Sequence, residues 1–75
     1  MNNKLSDGYY IQAQAYAANS PEWLAYEKLG AIADLFGKNI REVTSCIQDY
    51  IVKWAQVPAM VEVLNKELQT IEKGN

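Results

Sequence analysis

The apolar positions of the chain's back half fall at Ile40, Val43, Ile47, Tyr50, Trp54, Val57, Val61, Leu64, Leu68 and Ile71. The steps alternate three, four, three, four, which is the seam of a helix packed along its length. The pattern predicts a helix over 40–73 as the spine of the fold. Pro58 interrupts it, because a proline inside a helix lacks the N–H for the carbonyl four residues earlier, here Trp54. Two arrangements are open: one helix bent at Pro58, or two helices with Pro58 starting the second. The seam keeps its phase across the proline, which favours the continuous, bent helix.

Ahead of the spine, a first helix is expected over 7–19, capped by Ser6 or Asp7 and rich in alanine. Residues 1–6 are polar and expected to fray. Tyr9, Ala13 and Tyr16 share one face of this helix, which seals a core or meets a partner. A second helix is expected over 21–36. Ser20 stands as its N-cap, Pro21 as its first residue and Glu22 near the positive end of its dipole. Tyr26, Leu29, Ala33 and Phe36 line one stripe, widened by Trp23, Leu24, Ile32 and Leu35. Gly30, inside the helix, marks either a close helix contact or a bend. Gly37 suits the left-handed angles of a C-terminal cap. Asn39 caps the next helix, with Glu42 three residues on. The fold expected is all-α, a small bundle of three or four helices in a single domain spanning 1–75. The front helices lie on the first half of the spine, and the half after Val57 projects towards a second copy.

Composition sharpens this picture. A chain of 75 residues buries only about 60% of its unfolded surface, so its core is marginal without help. A lone cysteine, Cys46, excludes an internal disulfide, and no histidine is present to serve as metal ligand or general base. With 49% apolar residues, self-association is the remaining device, and a homodimer is expected. The interface would use Trp54, Val57, Val61, Leu64, Leu68 and Ile71. The net charge of −2 disfavours nucleic acid as a partner. No apolar run approaches the ~18 residues of a membrane span. The polar N-terminus and the free thiol point to the cytoplasm.

Candidate chemistry is sparse. Cys46 lacks an activating base and reads as a small apolar residue beside the seam. The glycines are too scattered for a phosphate loop, and no acidic pair has metal-ligand spacing. No catalytic residue, metal or cofactor is expected. The chain reads as a protein-binding module: an adaptor, inhibitor or regulatory subunit, of a size that suits a phage or mobile element.

One segment supports an alternative. Ala33, Gly37, Asn39, Val43 and Ile47 lie within residues 31–47, 17 of the 75. Their order resembles the helix-turn-helix of bacterial and phage regulators. There a small residue sits at the helix crossing, glycine makes the turn, and an apolar residue locks the second helix. The resemblance implies DNA binding through Arg41, Thr44, Ser45 and Gln48, with Lys38 on phosphate. Lys38 departs from the usual apolar turn residue, and Ile40 from the usual polar one.

Overall fold

The computed structural model describes residues 5–73, and the side chains of 7–73. Those residues form four α-helices and no strand: α1 Leu5–Ala13, α2 Pro21–Phe36, α3 Ile40–Lys53 and α4 Pro58–Lys73. α1 packs along α2, and α4 packs against both α2 and α3. The radius of gyration, 11.6 Å, is close to the ~11 Å of a folded chain this long. Among the described residues no helix is long and apolar enough to cross a membrane.

α1 ends earlier than its alanines suggest. Ser6 and Asp7 lie inside it rather than capping it, and residues 14–19 are an exposed connection. Helix propensity is weak against packing. Beyond Ala13 residues 14–19 are exposed, so little burial supports a further turn, and three i→i+3 bonds, ending with Tyr16 N–H to Ala13 O at 3.0 Å, close the helix. Asn19 then takes a left-handed φ of 71°, a conformation asparagine tolerates better than most residues.

α2 follows its local signals. The Ser20 Oγ accepts the Trp23 N–H at 3.3 Å, and Pro21 begins the helix. Gly37, at φ 57°, donates its N–H to Ala33 O at 2.8 Å. The helix runs without interruption through Gly30. An added Cβ at Gly30 would lie 2.6 Å from the Tyr10 ring, so the glycine permits a close helix contact rather than a bend. Asn39 Oδ1 accepts the Glu42 N–H at 3.3 Å to start α3. Leu35 is 74% exposed and lies outside the stripe it was expected to widen.

The expected spine is two helices, not one. α3 stops at Lys53 and α4 starts at Pro58. The Trp54 carbonyl that Pro58 cannot reach is taken by the Val57 N–H at 2.9 Å, which closes a tight turn. Pro58 is then the first residue of a helix, where no N–H is required. The turn folds α4 back beside α3 and onto α2, so the segment after Val57 does not project. The unbroken phase has another origin: both helices aim the same seam at one core. Val43 and Ile47 from α3 meet Leu64 and Leu68 from α4 there, with Tyr9, Leu29 and Met60.

Candidate functional site

The six seam residues part company. Leu64 is fully buried and Leu68 nearly so, both within the chain's own core. Trp54, Val57 and Ile71 are half-buried against that core, and Val61 is half-buried as well. The continuous edge expected on α4 is therefore largely covered by the front half of the chain. The Trp54 indole N–H is buried with no hydrogen-bond acceptor among the described residues.

The segment that resembles a helix-turn-helix spans the α2–α3 junction. Ala33, Val43 and Ile47 are buried at the α2–α3 junction, and Gly37 makes the turn. At about 100° per residue, Arg41, Ser45, Gln48 and Val52 fall within about 60° of one another, opposite Val43 and Ile47. All four are exposed, as is Lys38. Thr44 is half-buried, and its hydroxyl donates to the Arg41 carbonyl at 3.1 Å. Glu42 and Asp49 lie roughly a quarter turn to one side. Lys53 lies on that same side, so three cations stand against two carboxylates, a weak field for phosphate.

Cys46 borders a shallow concavity on α3 with Asp49, Tyr50 and Lys53. Burial pushes its thiol above the ordinary cysteine value, and the Asp49 and Glu42 carboxylates push in the same direction. A thiol held protonated is a poor nucleophile. Among the described residues no group of acidic or cysteine side chains could hold a metal ion.

A second cleft, of about 240 Å³, lies between the start of α2 and the first half of α4. Glu22 and Tyr26 line it from α2, one turn apart. Ala59, Glu62, Val63 and Lys66 line it from α4, a spacing that puts them on one helix face. Tyr16 closes it from the α1–α2 connection. The Tyr16 and Tyr26 rings stack at a centroid distance of 5.7 Å, 15° from parallel, the offset arrangement favoured by aromatic quadrupoles. The Tyr26 hydroxyl is pushed above its ordinary value, first by burial and then by Tyr16 and Glu67. Next to Lys66 on α4, Glu67 Oε1 accepts the Tyr9 hydroxyl proton at 2.7 Å, which ties α1 to α4.

Sequence reasoning singled out the tyrosines but not the cleft. Tyr9 and Ala13 are buried, whereas Tyr16, expected on the same helical face, lies past the end of α1 and meets Tyr26 instead. Only the return of α4 supplies the opposite wall, and no periodicity announces that return.

Comparison with models of protein families, with curated proteins and with solved structures finds no match to this chain.

Proposed function

We propose that the chain is a non-enzymatic protein-binding module, a small adaptor, inhibitor or regulatory subunit, whose partner docks at the Tyr16–Tyr26 cleft. The observation that carries this reading is the stacked tyrosine pair, with Tyr16 still 41% exposed. Tyrosine is among the side chains that anchor protein interfaces, where a ring offers large area at low entropic cost. The cleft is smaller than the ~300–1,000 Å³ of pockets for drug-sized ligands. Its volume suits one inserted side chain of a larger partner. Co-purification from the native source tests the reading. The wild-type chain is expected to retain a protein that the Tyr16→Asp, Glu62→Lys variant loses. Equal retention by both would remove the cleft from the function.

The seam of α4 contributes less than the sequence suggests. A homodimer built on it would have only the half-buried edge of Val61 and Ile71 to offer, since Leu64 and Leu68 serve the core.

A second reading, a helix-turn-helix regulator that binds DNA, is favoured by one observation. Arg41, Ser45 and Gln48 share the centre of the exposed α3 face while Gly37 makes the turn. Its test is binding to duplex DNA at low salt. Binding that is lost when Arg41 and Lys38 are changed to glutamate would raise this reading above the first.

A further inference from the structure

We propose that the cleft is an arginine receptor: it takes the guanidinium of one arginine from a segment of the partner protein. This rests on the protein-binding reading and specifies what is bound. Tyr16 and Tyr26 each give one ring face to their mutual stack, which leaves the outer face of the exposed Tyr16 ring for an occupant, and Glu22 and Glu62 supply carboxylates from opposite walls. With Lys66, the lining carries two carboxylates and one ammonium, a net charge of −1. Among the described residues, neither Glu22 nor Glu62 makes a hydrogen bond or ion pair with another side chain. A cation is therefore the complementary occupant. A guanidinium fits better than an ammonium, because its plane stacks on a tyrosine ring while its edge donates to a carboxylate. The fold keeps both walls in place independently of the occupant, because α2 and α4 pack directly on each other and share the core of Leu29 and Leu64.

The test is an NMR titration of the intact chain with a blocked Gly-Arg-Gly peptide. The controls are the same peptide carrying neutral citrulline, and tetramethylammonium. Arginine is expected to shift the Tyr16 and Tyr26 ring signals saturably, and both controls to bind several-fold more weakly. Glu62→Gln and Tyr16→Leu each change an exposed residue and leave the fold intact by amide spectrum. Each is expected to weaken arginine binding roughly two- to fivefold. Equal shifts with citrulline, or with tetramethylammonium, would overturn the assignment. So would arginine shifts spread over the surface carboxylates and untouched by Glu62→Gln. Failure of the titration removes the arginine assignment alone. The protein-binding reading fails separately, when no retained partner depends on the cleft.

Discussion

The hydroxyl of Tyr9 donates to the carboxylate of Glu67 at 2.7 Å across 58 positions of sequence. The ring is 5% exposed, so this bond is the polar end of a core residue that fastens the first helix to the last.

Its loss is expected to be measurable in two ways. Burial, then the bond and charge of Glu67, push the Tyr9 hydroxyl above the ordinary tyrosine range. The folded-state value thus exceeds the unfolded one. The stability this contributes is fully present below about pH 10, the unfolded tyrosine value, and is lost as pH rises above it. Urea midpoints are expected to fall steadily from pH 10 upward. Tyr9→Phe is expected to cost about 1–2 kcal/mol at pH 8 and to flatten that fall. A variant with the wild-type alkaline profile would show that the Tyr9 hydroxyl is not the group whose ionisation lowers the stability.

Gly30 and Tyr10 form a close contact between α1 and α2. Gly30→Ala improves helix propensity by about 1 kcal/mol. The new methyl would nonetheless enter the space of the Tyr10 ring and disturb its 3.2 Å bond to Asp34. Such overpacking costs about 1–3 kcal/mol, so a net loss of about 1 kcal/mol is expected. In a Tyr10→Ala background the same change is expected to stabilise. A double-mutant cycle by urea unfolding reads both.

Pro58→Ala tests the break between α3 and α4. In a continuous helix, removing the proline would relieve a cost of ~3 kcal/mol. At the first position of α4 the proline is free of strain and restricts the unfolded chain instead. The variant is therefore expected to lose about 0.5–1 kcal/mol. Increased stability would contradict the turn at 54–57.

Leu64 separates a core from an interface. Leu64→Ala is expected to cost about 2–5 kcal/mol, a large part of the ~4–11 kcal/mol expected of a domain this size. Because the side chain is buried within one chain, the loss is expected to be the same at low and high micromolar protein. Unfolding midpoints that recover with concentration would return Leu64 to a dimer interface.

These cases show what the amino-acid order could disclose. Ser20, Pro21, Gly37 and Asn39 act on backbone groups within four residues of themselves, so the start and end of α2 and the start of α3 were legible. The periodic stripe disclosed which face of α3 and α4 is buried. It did not disclose what covers that face, because a bent rod meeting a second chain and a hairpin closing on its own core share one pattern. The end of α1 was hidden for a related reason. Alanine propensity continues past Ala13, and the helix stops where the chain is no longer buried. The Tyr16–Tyr26 pair depended on both of these features, which explains why the tyrosines were visible and their cleft was not.

Site-specific photo-crosslinking compares the two candidate surfaces most directly. A benzoylphenylalanine is placed at Lys66, on the rim of the cleft, or at Ser45, at the centre of the exposed α3 face. Irradiation in the native source is expected to join the chain to a protein from the Lys66 position and to leave the Ser45 position unreacted. Crosslinks from the Ser45 position alone, to DNA or to protein, would contradict the account.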